Sequence, residues 1–159
     1  MSLELKFDPK TIEHLGVKMY ATLPPALAEL ISNAYDADSA NVVVEFTEVN
    51  KVPKGIVVKD EGEGMSLDDI QTKFLVIGRN RRNEGDKPSK KFKRLPTGKK
   101  GLGKLALFGL ANEIVVDTIK NGLRNRFRLN WNDLLSSSSI YSPKIDIQDQ
   151  KTDKPNRTQ

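Results

Sequence analysis

The sequence has no cysteine and a single histidine, His14. Without cysteine there is neither a disulfide framework nor a thiolate metal site. One histidine supplies no His-based nucleophilic triad and no zinc site. His14 also lacks the surroundings of a phospho-accepting histidine, so a packed or surface role is expected for it. Long apolar runs are missing too. The opening "MSLELKFDPK" has no apolar signal-like stretch, and no segment approaches the length of a membrane span. A cytoplasmic location with no membrane partner is therefore expected. What is present, 159 residues of which 37% are hydrophobic and 30% charged, suits one globular domain with its own core.

The formal charge of +5 is unevenly spread. Residues 79–104 hold eleven Lys and Arg against Glu84 and Asp86, which leaves the rest of the chain net acidic. Such a block can be a solvated loop, a surface for nucleic acid or a clamp for a polyphosphate. With Gly85, Pro88 and Pro96 and little apolar periodicity, 79–100 is expected to be a long loop, and loops of that length are functional or disordered.

Local signals mark the elements. A helix is expected at 8–16, with Asp8 as N-cap, Pro9 in the first position and Gly16 as the stop. A second is expected at about 22–37, with Pro24 and Pro25 in its first turn. "NVVVEF" and "GIVVKD" are strands joined by a turn at 50–54. "SLDDIQTKFLVIG" is a helix capped by Ser66, with Asp69 completing a capping box. "GLGKLALFGLANE" is a helix opened by glycines. "IVVDTIKNGLRNRFRLNW" is a hairpin turning at Asn121 and Gly122, with Phe127 and Trp131 packed on the sheet. Its alternating arginines fit a half-buried strand or a nucleic-acid contact. "KIDIQ" is a last strand.

The helix at 22–37 carries an unusual polar face. At about 100° per residue, Asn33 lies about 40° to one side of Glu29 and Asp36 about 20° to the other. Leu27, Leu30, Ile31 and Ala34 form the packing stripe. That polar face is either plain solvent surface or a line of ligands. "VVKDEGEGMS" then puts Asp60 at a strand end, followed by Gly62, Gly64 and Met65. Alternate glycines let a planar ligand approach the backbone, and an ionised Asp60 only accepts hydrogen bonds, as the exocyclic amine of adenine requires. A calcium loop of the EF-hand kind needs more oxygen ligands than this stretch has. In "TGKKGLGKLALFG", glycines open a helix whose free N–H groups form an anion site, with Lys99, Lys100 and Lys104 adding charge. Residues 98–104 nearly match a P-loop, but Leu105 stands where Ser or Thr is needed. No strand precedes the glycines, which also argues against a dinucleotide fingerprint.

Taken in order, E-x-x-x-N-x-x-D-A (29–37), D-x-G-x-G-M (60–65) and G-x-x-G-x-G (98–103) resemble the three sequence boxes of the GHKL ATPases: gyrase, the large heat-shock chaperone, sensor histidine kinases and MutL-type repair proteins. The likeness spans about 24–117. Glu29 at the first position of the helix box is most similar to the chaperone, MutL and MORC branches. The resemblance implies the Bergerat ATP-binding fold, an α/β (α+β) two-layer sandwich with helices on one face of a mixed, mostly antiparallel sheet. It implies ATP and Mg²⁺ as cofactors. Glu29 would be the general base for the attacking water, and Asn33 the Mg²⁺ ligand. Asp36, followed by Ala37, would lie beside the pocket near the adenine end. Asp60 would read adenine, with Gly62, Gly64 and Met65 lining the base slot. Gly98, Lys99, Lys100, Gly101, Leu102, Gly103 and Lys104 would hold the triphosphate, and 79–100 would be the ATP lid.

In that family a later strand brings a threonine that supports the adenine-reading aspartate. Here the chain stops at Thr158 and Gln159, where such an element is expected to begin. Residues 1–159 are thus expected to be a single ATP-binding domain, a C-terminally truncated fragment acting as the switch of a larger protein. Expected partners are adenine nucleotide, downstream domains of the same chain and a second copy in an ATP-dependent homodimer. The expected activity is ATP binding with slow hydrolysis, which the fragment alone need not perform. Two rivals stay open: a nucleic-acid-binding module working through 79–104, and a nucleotide switch that never hydrolyses.

Overall fold

A computed structural model describes residues 3–6, 23–76, 88–97, 107 and 110–159. The helix expected at 8–16 with His14, the basic residues 79–87, and Gly98, Lys99, Lys100, Gly101, Leu102, Gly103 and Lys104 lie outside the described residues. The described elements are β1 (Leu5–Lys6), α1 (Leu23–Asp36), β2 (Val42–Val49), β3 (Val52–Asp60), α2 (Leu67–Asp69, continued by a π turn Ile70–Phe74), β4 (Glu113–Lys120), β5 (Leu123–Asn130), α3 (Trp131–Ser136), β6 (Ile140–Tyr141), β7 (Lys144–Lys151) and β8 (Arg157–Thr158). No helix among the described residues is long and apolar enough to cross a membrane.

Six strands form one sheet in the order β2-β3-β8-β4-β5-β7, with antiparallel ladders throughout. β1 and β6 pair separately. The one parallel pairing among the described residues is an isolated bridge from Lys6 to Val76. The architecture is α+β, as expected, and its main sheet is more uniformly antiparallel than a mixed one. Two-residue turns close the long hairpins. Asn50 and Lys51 have φ of 54° and 64°, and Asn121 and Gly122 have 52° and 74°. Left-handed pairs of this kind match the twist of the strands they join.

One face of the sheet carries the core. Val116 stands opposite Phe127, and Phe127 opposite Ile145. Leu3, Leu5, Ile70, Leu75, Trp131, Leu134 and Tyr141 pack onto that row, and the Phe74 ring meets Phe127 edge-on at 5.7 Å. Fully burying a side chain such as Phe127 contributes about 2–3 kcal/mol. On the other face Arg124, Arg126 and Arg128 alternate outward and pair with Asp117 and Asp146. The arginine spacing in "RNRFR" is therefore that of a half-buried strand.

Two elements differ from the sequence expectation. Ser66 and Asp69 do form the capping box, but the α-helix behind it lasts one turn before Leu75 N–H bonds to Ile70 C=O. That wider turn lets both Ile70 and Leu75 enter the core, each 0% exposed. Trp131 opens α3 instead of ending β5. Asn130 Oδ1 accepts from the N–H groups of Asn132 and Asp133 at 3.0 and 3.2 Å, an N-cap that stops the strand.

Candidate functional site

The site is built around the last turn of α1. Ala26 and Ala34 hold one side of this helix inside the protein. On the polar side, Glu29 is half-buried and Asn33 exposed. No hydrogen bond among the described residues ties either side chain to Asp60. The helix ends in a Schellman motif: Ser39 N–H bonds to Ala34 C=O at 3.0 Å and Asp38 N–H to Tyr35 C=O at 3.2 Å. Asp38 takes the left-handed position, φ 59°, usually given to glycine.

That helix end is bonded to the turn after β3. Glu63 N–H donates to Ala37 C=O at 2.8 Å, and Glu61 N–H to Ser39 Oγ at 2.8 Å. The two glycines make this approach possible. A Cβ on Gly62 would lie 2.5 Å from the Ala37 carbonyl oxygen, and one on Gly64, φ 67°, would lie 1.9 Å from that of Ile119. Both glycines are thus required by the chain's own backbone contacts, a reason the sequence argument about ligand approach did not contain.

Asp60 ends β3 half-buried. Its Oδ1 accepts from Gly62 N–H at 2.9 Å. Burial pushes the Asp60 carboxyl above its ordinary pKa, and amide bonds from Gly62 and Thr158 oppose this without cancelling it. A carboxylate has about four acceptor positions, so two amides leave room for another donor. Thr158 lies directly across from Asp60, and on its other side across from Thr118. The threonine element expected to begin at the chain's end is present there as β8, held in the sheet because Asp117 and Gln159 exchange two backbone bonds of 2.8 Å.

Thr118, 0% exposed, ties this row to Met65. Its Oγ1 accepts from Met65 N–H at 2.8 Å, donates to Arg157 C=O at 3.1 Å and lies 3.1 Å from Thr158 Oγ1. Sequence reasoning missed it, although a hydroxyl inside the apolar run "IVVDTI" is a usable signal, since a buried hydroxyl needs a partner. Beneath the turn, Asp69 is held by Lys120 at 2.6 Å and by Lys73. Burial would raise its pKa, but Lys120, Lys73 and Ser66 outweigh burial and hold it well below the usual carboxylate range.

Asp36 turns toward the third box. Its Oδ1 accepts from Thr97 N–H at 2.8 Å and from Thr97 Oγ1 at 2.9 Å, and Thr97 immediately precedes Gly98. The end of α1 thus brings together Ala37, the turn containing Gly62 and Gly64, and the residue leading into the glycine box. A neighbouring cleft is lined by Asp38, Glu61, Gly62, Glu63, Lys91, Pro155 and Asn156, and neither Glu29 nor Asp60 lines it. Among the described residues no cluster of three or more His, Asp or Glu could hold a metal by itself. A lone Asn33 carboxamide suits an ion such as Mg²⁺ that keeps waters and takes its other ligands from phosphate.

Comparison with known proteins agrees with this geometry. A putative type II restriction enzyme, HgiDII of Herpetosiphon aurantiacus, is 34% identical over 144 residues. The match covers 88% of this chain and 22% of that relative, so the chain spans about a fifth of the length of the curated protein it resembles. The model of the histidine kinase-, DNA gyrase B- and HSP90-like ATPases matches residues 20–158. With its first two boxes joined at the end of α1 and nearly its whole length matched, the chain belongs to that ATPase family.

Proposed function

We propose that this chain is the Mg²⁺-dependent ATP-binding module of a larger protein, that it hydrolyses ATP slowly, and that it acts there as a switch. Family membership supports ATP binding in general. The observation that carries the finer reading is the row formed by Asp60, Thr158 and Thr118 across β3, β8 and β4, beside the end of α1. Asp60 accepts the exocyclic amine of adenine, with Thr158 supporting it and Gly62, Gly64 and Met65 lining the base. Guanine, with a carbonyl at that position, is rejected. Gly98, Gly101, Gly103 and Lys99, Lys100 and Lys104 hold the triphosphate, Asp36 and Ala37 lie beside the pocket, and 79–100 serves as the lid. Mg²⁺, held by Asn33, neutralises phosphate charge when bound. Glu29 takes the proton from the attacking water. The carboxylate at the first position of the helix box favours the chaperone, MutL and MORC branches.

The work is done in the cytoplasm, by a homodimer that forms on ATP binding. A titration of the chain with ATP, with and without Mg²⁺, tests the reading, with Asp60→Ala expected to abolish binding and Glu29→Ala expected to keep binding while the full-length protein loses turnover. Wild-type affinity in Asp60→Ala would remove the adenine assignment. The relative's name as a putative restriction enzyme favours one extension: the larger protein acts on DNA. Its ATPase rate should then rise with duplex DNA, and a rate indifferent to DNA would exclude that extension.

A further inference from the structure

The structure describes residues 88–97 of the basic block, and this stretch is tightly held. Ser89 N–H bonds to Arg94 C=O at 2.8 Å, and Arg94 N–H to Ser89 Oγ at 2.9 Å, which closes the segment on itself. Asp38, 4% exposed, accepts from Lys91 N–H at 2.8 Å and Phe92 N–H at 3.2 Å. The Arg94 guanidinium lies 4.4 Å from the Tyr35 ring and 4.3 Å from the Phe92 ring. Its Nη1 donates to the carbonyls of Ser39 at 2.7 Å and Tyr35 at 3.3 Å. The anchors outside the segment, Tyr35, Asp38 and Ser39, lie at or just past the end of α1, and the segment they hold ends on Asp36 through Thr97.

Asp38 lies one residue beyond the helix box and takes no part in the adenine row. A carboxylate this buried is costly unless it is fully served, and here two amides and the Ser89 hydroxyl serve it while Arg94 lies nearby. A planar guanidinium that lies against two rings while one of its nitrogens reaches two carbonyls is work for arginine more than for lysine.

We propose that Asp38 and Arg94 are positioning residues: together they clasp 88–97 to the end of α1 and so set where the glycine box begins. This rests on the ATP reading above and deepens it, because the phosphates, and not the adenine, then depend on the clasp. Asp38→Ala and Arg94→Lys test it in the intact chain through two readouts. Without nucleotide, the amides of Lys91 and Phe92 should exchange slowly with deuterium in the wild type and rapidly in Asp38→Ala. With Mg²⁺ present, both variants should lose about tenfold in ATP affinity while keeping AMP affinity within about twofold. Asp38→Asn suits the left-handed backbone and retains one acceptor, so it should recover part of the loss. Wild-type exchange at the two amides in Asp38→Ala, or equal losses for ATP and AMP, would overturn the proposal. Should Asp38→Ala fail to fold, Arg94→Lys carries the same comparison. If the wild type bound neither nucleotide, the ATP reading would fail and the positioning role with it, while amide exchange would still decide whether the clasp forms.

Discussion

Replacing Gly64 with alanine should be among the most damaging one-methyl changes this protein can suffer, and the structure supplies the magnitude. Gly64 has φ 67°, and its new Cβ would lie 1.9 Å from the Ile119 carbonyl oxygen and 2.8 Å from the carbonyl carbon. The left-handed backbone alone costs an alanine about 1–2 kcal/mol. The collision is with strand backbone, which has no rotamer to change, so the turn must move away from β4 by roughly 1 Å. That movement strains the bond from Met65 N–H to the buried Thr118 Oγ1, now 2.8 Å, and an unmet buried donor costs about 1–3 kcal/mol. A loss of about 3 kcal/mol or more follows, which in a domain of this size lowers the melting temperature by about 10 °C. Two other glycines calibrate the measurement. At Gly55 the new Cβ meets only the Thr47 hydroxyl at 3.1 Å, which can rotate away, so Gly55→Ala should change stability by less than about 0.5 kcal/mol. At Gly122, φ 74°, the new Cβ meets the Thr152 carbonyl oxygen at an ordinary contact distance of 3.5 Å, so only the backbone term of about 1 kcal/mol should appear. Thermal unfolding of the three variants followed by circular dichroism should rank them Gly55, Gly122, Gly64 in rising loss. A Gly64→Ala protein that melts within a degree or two of Gly122→Ala would refute the reasoning.

Three further residues carry expected outcomes. Asp60→Asn should abolish adenine binding yet leave stability at neutral pH equal or higher: burial raises the folded pKa of Asp60, so its ionisation opposes folding as pH rises above the unfolded value. For the same reason wild-type nucleotide binding should fade on acidification at a higher pH than an ordinary aspartate would produce, which a titration series in pH will show. Asp69 has the opposite sign. Its folded pKa is depressed, so its contribution is present above the unfolded pKa and is lost as pH falls toward the folded one. Asp69→Asn should cost about 2 kcal/mol at pH 7, allowing for the exposure of Lys73, and urea unfolding should find the gap closing as the pH falls below about 4. Thr118→Val keeps the shape but removes the acceptor for Met65, so it should cost about 1–3 kcal/mol and speed exchange of the Met65 amide; an unchanged amide would show that the hydroxyl is dispensable.

The readable parts of the fold and the obscure parts separate by the distance over which their signals act. The bounds of α1, the capping box of Ser66 with Asp69 and the hairpin at Asn121 and Gly122 were legible because capping and turn chemistry involve residues a few positions apart. The order of the three boxes was legible for the same reason, each being a short pattern of residue types. The π turn that carries Ile70 and Leu75 into the core was not, since it answers to packing against β1 and β5 and not to its own propensity. The short ladder of β1 with β6 joins segments 136 positions apart at Leu5 and Tyr141, which no window of local sequence can see.

By itself, the sequence determined the inventory: which side chains are available, that none is a cysteine, and that the patterned boxes belong to one ATPase family. Only the tertiary structure decided what those residues are for within the fold. It put Thr158 and Thr118 in line with Asp60, turned Asp36 and Asp38 toward 88–97, and showed that Gly62 and Gly64 are small because other backbone lies against them. The physical reason is strand register and close packing. Both are fixed by hydrogen bonds and contacts between residues tens of positions apart, and those become visible only when the chain has folded.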